Sequence, residues 1–438
     1  MNDMEQLRQS LLKIDDLLAS CMRCGNCQAV CPVFSQTCRE ADVARGKIVL
    51  LQNLAYELIK DPKAVEERLT RCLLCGACEH NCSTGVKTLE IFVEGRIALT
   101  QYLKLSPIKK FIFQSLLTHP KLFKNAIRTG SLFQGLILRR QKNKQNTATA
   151  PLLKPFLGAR HIPTLPKKQL SEKYGVLVGD KSKKYNVIFY PGCMSDKVYT
   201  QIGDAVLSLL FHYDVGVIMP DDFSCCGLPA LASGDKNGFD ALVKNNIGVF
   251  ERIGLDYGVD YIVSACPSCT ETLHKWWLQL SGNYSLKERD VLQKISAKAI
   301  DMHDFLYNVL KIDTSKTTPK ENAAVITYHE SCHLKKSLGI SKEVRELLKL
   351  NENYVLKEMA EADKCCGCGG SFTLTQPELS LKIGTRKWKN IVDSGAEEVV
   401  TACPACMMQI ADMLGRNQTD IKVRHSLEIL AETLTAGK

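Results

Sequence analysis

The sequence predicts an α+β chain of several domains: a helical N-terminal domain built around cysteines, then an α/β cysteine-rich unit present twice. Three observations predict it. Residues 21–82 hold two cysteine runs of identical spacing, set among stretches with apolar residues at helical intervals. Residues 185–438 alternate short strand-like runs with helical ones, which implies a largely parallel sheet. Three cysteine-bearing segments also recur at near-constant offsets of 139, 140 and 137 residues. FYPGCMS at 189–195 matches TYHESCHL at 327–334. FSCCGLP at 223–229 matches KCCGCGG at 364–370, and VSACPSCTETL at 263–273 matches VTACPACMMQI at 400–410. Such an offset points to duplication of one unit.

The elements follow in order. Residues 4–19 put Leu7, Leu11, Ile14, Leu17 and Leu18 on one helical face. Residues 45–58 and 63–71 read as helices in the 40-residue link between Cys31 and Cys72, and another helix is expected through Ile91 to Tyr102. Ile108, Phe111, Ile112 and Leu116 fall at helical spacing before Pro120 interrupts. Leu122, Phe123 and Ile127 then begin another turn or two. Residues 141–168 have linker composition, and a domain boundary is placed there. Residues 185–190, 261–264, 323–327 and 398–401 read as short buried strands, each running into a cysteine. Residues 204–211 and 342–350 read as helices between them. The expected domains are 1–103, a basic helical segment and linker over 104–184, and the two repeats over 185–310 and 321–438.

Composition bounds the function. Apolar residues make up 45% of the 438, enough for ordinary cores. The first twenty residues hold four acidic groups and no signal-peptide core, and no run nears the roughly 18 apolar residues of a spanning helix. With twenty cysteines, this predicts a cytoplasmic chain whose thiols are free to take metal. The net charge of +10 is local: residues 101–170 hold fourteen lysines and arginines and no acid, leaving the remainder at −4. A charge confined to one segment argues against nucleic acid as a partner of the whole protein. It suits contact with the inner face of the cell membrane or with an acidic partner, or a solvated basic face.

Cys21, Cys24, Cys27 and Cys31, followed by Pro32, form the first run; Cys72, Cys75, Cys78 and Cys82 form the second. Each is C-x2-C-x2-C-x3-C, the spacing that binds a [4Fe–4S] cube. Three cysteines wrap one cube and the fourth points to the other. Cys21, Cys24, Cys27 and Cys82 are therefore assigned to one cluster, and Cys72, Cys75, Cys78 and Cys31 to the second. Structural zinc sites use separated pairs and do not need this pattern twice. Ser83 stands where a second proline would be, which changes a turn's stiffness rather than a ligand.

Each repeat carries five matching cysteines: Cys193, Cys225, Cys226, Cys266 and Cys269, then Cys332, Cys365, Cys366, Cys403 and Cys406. Their position past strand ends is where parallel sheets bind cofactors. Packing explains such a repeated set poorly. Zinc would use four of the five. A redox disulfide lacks a thioredoxin-like context around Pro267 and Pro404. A metal or iron–sulfur site is expected in each repeat. Cys38 is read as a small buried hydrophobe, Cys368 is left outside the ligand set, and His329 and His333, which flank Cys332, are read as packed loop histidines, the alternative being a role in supporting the ligands from behind. No dinucleotide fingerprint, P-loop or Ser/His/Asp arrangement is found, and no catalytic residue is assigned.

These motifs resemble, over nearly the whole chain, the family of the glycolate oxidase iron–sulfur subunit. The iron–sulfur subunits of D-lactate dehydrogenase, anaerobic glycerol-3-phosphate dehydrogenase and heterodisulfide reductase belong to the same circle. ARGKIVLL at 44–51, CSTGV at 82–86, FYPGC at 189–193, CCGLPA at 225–230 and ACPSC at 265–269 carry the resemblance. It implies an α-helical ferredoxin domain with two [4Fe–4S] motifs, then a duplicated Cys-Cys-Gly domain. It also implies a non-cubane cluster on each five-cysteine set, with zinc as the other candidate.

The expected function is electron transfer within a 2-hydroxy-acid (glycolate or D-lactate) dehydrogenase. Electrons would come from a separate FAD-binding subunit and go to a quinone or another acceptor, and no activity is expected of the chain alone. One rival is a heterodisulfide-reductase-type subunit that cleaves a disulfide at a Cys-Cys-Gly cluster. The other is a redox-sensing or cluster-storage protein.

Overall fold

The structure is a computed structural model that describes residues 3–140, 147–151, 154, 158–256, 258–315 and 317–434. It divides into two units. The first comprises residues 1–115, 227–241 and 364–386; the second comprises 116–226, 242–363 and 387–438. The chain thus crosses from one to the other immediately after each repeat's second strand region, beside the paired cysteines.

The first unit is helical. The stretch expected as one helix over 4–19 is two, Asp3–Leu12 and Asp15–Ala19. Asp15 and Asp16 favour a new N-terminus there, because carboxylates stabilise the positive end of the helix dipole. Helix Ala44–Ala55 buries Ile48, Leu51 and Leu54 along one face. Helix Pro62–Thr70 starts with proline at its first position, and the Asp61 carboxylate accepts from the Ala64 N–H at 3.1 Å. Helix Thr88–Leu103 runs through the middle, with Ile91, Phe92, Val93, Ile97 and Leu99 all buried. It is apolar around most of its circumference because it packs against Asp3–Leu12, Ala44–Ala55 and Pro62–Thr70. Each fully buried Leu, Ile or Phe contributes about 1.5–3 kcal/mol.

The second unit holds the strands. A small antiparallel sheet joins β1 (Arg139–Arg140), β2 (Thr147–Thr149) and β3 (His161–Pro163) in that order. Part of the expected linker is therefore structured. β3 is tied to helix Pro404–Arg416 by the His161 N–H, which donates to Asp412 Oδ1 at 2.8 Å. Pro120 does not end a helix but begins one, Pro120–Ile137, which is longer than the one or two turns expected. Proline's fixed φ and missing N–H suit the first helical position.

The two repeats then form two sheets. The first has β4 (Leu177–Val178), β5 (Asn186–Phe189), β6 (Gly216–Met219), β7 (Tyr261–Ser264) and β8 (Ala299–Asp301), in the order β4-β6-β5-β7-β8. Only β4 is antiparallel. The second has β9 (Ala324–His329), β10 (Tyr354–Leu356), β11 (Glu398–Thr401) and β12 (Lys422–His425), all parallel, in the order β10-β9-β11-β12. Without β4 the two orders are the same, so the duplication seen in the cysteines is also one of topology. The repeats share one core: Val187, Phe189, Ile202, Val206, Leu209 and Val263 of the first lie in one apolar cluster with Met407, Leu427 and Leu430 of the second.

Among the described residues no helix is long and apolar enough to cross a membrane.

Candidate metal centres

Both N-terminal runs fold the same way. The residues flanking the second cysteine have positive φ: Arg23 (57°) and Gly25 (91°) in the first run, Leu74 (50°) and Gly76 (67°) in the second. This left-handed wrap turns three cysteines inward, and short helices Cys27–Val30 and Ala77–His80 follow. None of the twenty cysteines is in a disulfide. Sulfur atoms accept from nearby donors: Cys31 from the Phe34 N–H and Cys72 from the Leu74 N–H, each at 3.4 Å. Cys78 lies 3.1 Å from the Thr88 hydroxyl.

The electrostatics group the thiols. Burial pushes Cys31 up to about 11, and Cys75 and Cys72 push in the same direction. Burial also raises Cys78, whose charged neighbours are Cys72, Cys75 and Cys31. Cys31 of the first run thus stands among three cysteines of the second. Cys27 is raised by burial and feels Cys21. Cys82 is held low despite burial by the Thr84 hydroxyl and the N–H groups of Val86, Thr84 and Gly85. Asn81, beside it, donates to the Asn26 carbonyl of the first run at 3.4 Å. The donor chemistry fits two cubes: cysteines in two groups, none in a disulfide, with N–H and O–H donors aimed at sulfur.

Buried charges lie beside the Cys31 group. Lys47, 2% exposed, donates from Nζ to the Asp42 carbonyl, and the Cys31 thiol faces that carbonyl at 4.0 Å. The Asp42 carboxylate, wholly buried, is 3.6 Å from both Arg68 and Arg71. Arg96, 8% exposed, donates to the carbonyls of Cys72 (2.6 Å), Leu69 (2.9 Å) and Ala232 (2.5 Å). Sequence reading missed Lys47 and Arg96. Their signal was a cation beside an apolar helical run, in RGKIVLL and IFVEGRIAL.

In the second unit the first five-cysteine set is complete. Cys225 is within hydrogen-bonding reach of Cys193 and Cys226, and Cys269 of Cys226 and Cys266. Those contacts and burial hold the Cys225 and Cys269 thiols well above the usual range. The paired-cysteine loop is pinned from behind. Tyr190 donates to the Ser224 carbonyl at 2.7 Å, Asn246 to the Cys225 carbonyl at 3.2 Å, and Trp277 to the Cys226 carbonyl at 2.8 Å. Tyr190, Phe223, Phe250 and Trp277 pack edge-on or tilted around it. Gly192, at φ 65°, passes so near that a Cβ there would be 2.8 Å from Cys269 Sγ.

The second set is divided between the units. Cys332, Cys403 and Cys406 belong to the second unit, Cys365 and Cys366 to the first. Within the first unit Cys365 packs beside Val33, Leu73, Phe372 and Ile383, as do Cys31 and Cys75. Within the second, Cys403 is within hydrogen-bonding reach of both Cys266 and Cys406, which hold its thiol well below the usual range against burial. Cys368 is buried, whereas Cys38 is exposed, not buried as expected. Cys38 ends helix Phe34–Thr37 in a left-handed conformation, which turns its side chain to solvent.

His333 pairs with Glu271, two residues beyond Cys269, so the repeats are also joined by charge. Burial lowers this imidazole, but Glu271 outweighs it and lifts His333 to about 9. His329 faces the Ala362 carbonyl at 3.2 Å. At the ends of β8 and β12, His303 and His425 stand 6.0 Å apart between ring centroids. His303 bonds Asp301 and Ser426 at 2.7 Å each, while burial, then His303, pushes His425 down to about 3. No spacing in the sequence marked these histidines.

Two thiol groups on a helical unit and cysteines at the carboxyl edges of two parallel sheets define an iron–sulfur protein. The comparisons agree. Residues 17–86 match the 4Fe-4S dicluster domain, and residues 187–274 and 326–411 each match the cysteine-rich domain. The chain is 30% identical over 426 residues to a probable glycolate oxidase iron-sulfur subunit of Bacillus subtilis, covering 95% of this chain and 94% of that one. It is 31% identical over 238 residues to lactate utilization protein A of Halalkalibacterium halodurans, covering 54% of this chain and 93% of that one. An uncharacterized iron-sulfur protein of Methanococcus maripaludis is 25% identical over 430 residues, 95% of this chain and 73% of that one. The chain belongs to the family of the glycolate oxidase iron–sulfur subunit.

Proposed function

We propose that this chain is the electron-transfer subunit of a 2-hydroxy-acid dehydrogenase acting on glycolate or D-lactate, taking electrons from an FAD-binding partner and delivering them to a quinone or another acceptor. The observation that carries the reading is the grouping of Cys31 with Cys72, Cys75 and Cys78, together with a five-cysteine set past the strands of the first sheet. The names of the relatives from Bacillus subtilis and Halalkalibacterium halodurans supply the substrate class.

When bound, iron–sulfur clusters take up and release single electrons. This chain's residues do the rest. Cys21, Cys24, Cys27 and Cys82 would hold one cube, and Cys72, Cys75, Cys78 and Cys31 the other. The N–H groups of Phe34, Leu74 and Gly367 donate to sulfur at 3.4 Å and stabilise thiolate over thiol. Thiols pushed up by burial would have to release protons on binding metal. Cys193, Cys225, Cys226, Cys266 and Cys269 would hold a third cluster, and by the repeated spacing of the sequence Cys332, Cys365, Cys366, Cys403 and Cys406 would hold a fourth. Five thiolates exceed what a cube uses, so a non-cubane type would suit both sets.

Contact with a membrane surface is assigned to helix Pro120–Ile137. Its apolar side chains Leu122, Leu132, Phe133 and Leu136 are 47–80% exposed, with Lys121 and Arg128 alongside and no acid in the helix. The opposite side is anchored, with Gln134 bonded to the Leu165 N–H and carbonyl at 2.9 and 3.0 Å.

The test is anaerobic affinity purification of the tagged chain from its own cells, with the co-purifying protein assayed on glycolate and both lactate enantiomers. A flavoprotein that oxidises one of them is the expected result. Recovery of no flavoprotein, from material that retains its iron, overturns the reading.

A further inference from the structure

We infer that Lys47 and Arg96 are redox-positioning residues: two buried cations that raise the reduction potential of the cluster held by Cys31, Cys72, Cys75 and Cys78 above what its burial would give. The inference rests on the cluster binding proposed above and adds to it a direction of electron flow.

The geometry is specific to that one group. Lys47 Nζ and the Cys31 thiol converge on a single carbonyl, that of Asp42. The Arg96 guanidinium spans the carbonyls of Leu69, Cys72 and Ala232 and so lies against Cys72. Both cations donate to backbone oxygens, and among the described residues neither is in an ion pair with a carboxylate. The acidic groups whose charge reaches them are Asp42 for Lys47 and Glu66 for Arg96. The Asp42 carboxylate is itself shared between Arg68 and Arg71.

Among the described residues the other group has no buried cation of this kind. Cys24 is exposed, and the other seven cysteines of the two runs are half-buried, but burial raises the thiols of Cys31 and Cys78 in the inner group most strongly. The cation beside it, Arg45, keeps 30% of its side chain exposed and is bonded through Nε and Nη2 to Glu40 at 2.5 and 3.1 Å. An exposed, paired cation is screened and contributes little.

Reduction adds one negative charge to a cluster. In a low-dielectric site that charge is costly, which by itself depresses the potential of the more buried group. A fixed cation in the same medium interacts strongly with the added electron and favours the reduced state. Placing Lys and Arg inside apolar helices costs stability, and packing alone gives no reason for it. An electron received from the proposed flavoprotein and passed from the less buried cluster to the more buried one would oxidise the first and reduce the second, with no proton or bond exchanged. Lys47 and Arg96 would favour that direction.

The experiment is an EPR-monitored redox titration of the anaerobically purified full chain and its variants, with iron measured on each sample. Lys47→Gln keeps a donor to the Asp42 carbonyl and removes the charge. The midpoint of the inner cluster should fall while that of the outer stays, and Lys47→Arg should restore most of the loss. Arg96→Gln should act in the same direction, and Arg45→Gln should move neither by a comparable amount. Unchanged inner midpoints in iron-replete Lys47→Gln and Arg96→Gln would overturn the inference. So would an equal shift of both clusters, or loss of the inner cluster's iron in both variants, which would make the cations assembly residues. Failure of the underlying reading looks different: the unsubstituted chain would then lack two [4Fe–4S] signals.

Discussion

Cys266 and Cys403, the equivalent first cysteines of the two C-P-x-C loops, lie within hydrogen-bonding reach of each other. The strands that lead to them, β7 and β11, are buried along three of their four residues each. The two repeats therefore present their cysteine loops to one another, and His333 and Glu271 add a second link at the same place.

Crossed ligation can be tested by single substitutions. Cys31→Ser should weaken the EPR signal of the cluster held by Cys72, Cys75 and Cys78, although Cys31 belongs to the first run. Cys82→Ser should do the reverse. Loss of the cluster nearest in sequence in each case would reject the assignment.

Metal analysis addresses the cysteine-rich repeats. Four clusters correspond to about sixteen irons per chain, whereas filled N-terminal motifs alone give about eight. About eight irons with one or two zincs would leave structural sites in the repeats, and Cys225→Ser would then lower stability without slowing electron transfer.

Leu427→Ala tests the shared core. Leu427 is fully buried in the same apolar cluster as Val187 and Phe189 of the first repeat. A loss of about 2–5 kcal/mol is expected, as for other buried leucines. Because the cluster spans both repeats, denaturant unfolding followed at Trp277 in the first repeat should shift together with far-UV circular dichroism. A transition at Trp277 that does not move would show the repeats to be energetically separate.

Charge and apolar area on helix Pro120–Ile137 can be varied separately. Lys121→Glu with Arg128→Glu should release the protein from vesicles rich in anionic lipid, and Leu132→Ser with Leu136→Ser should weaken binding at every salt concentration. Co-sedimentation measures both. Partitioning unchanged in both double variants would retire the membrane contact.

A pH effect is expected at the contact between β3 and helix Pro404–Arg416. Burial lowers the His161 imidazole, and Asp412 only partly offsets this. A group whose folded value is depressed stabilises above its unfolded value, here about 6.5, and loses that contribution as pH falls below it. Thermal stability of wild type should therefore decline more than that of His161→Gln between pH 7 and 5.5. Parallel declines would remove His161 as the cause.

The sequence by itself determined what depends on local spacing. The left-handed wraps at Arg23, Gly25, Leu74 and Gly76 are built into C-x2-C-x2-C, because three thiols so close in sequence can converge only through a tight turn. The strands at 261–264 and 398–401 were legible because each is a short apolar run stopped by a cysteine-proline turn. The repeat of three cysteine landmarks announced the repeat of sheet order, since equal spacing of strands and ligands leaves little other topology. Only the tertiary structure decided what depends on distant segments meeting. Cys266 met Cys403 because packing of the two sheets brings them together. Cys38 turned outward at a helix end, and a linker of polar composition became β2 and β3 by pairing across a helix face. Lys47 and Arg96 read as ordinary helix residues until the fold enclosed them. Burial is a property of what surrounds a side chain, and no local pattern around these two cations encodes the carbonyls they meet.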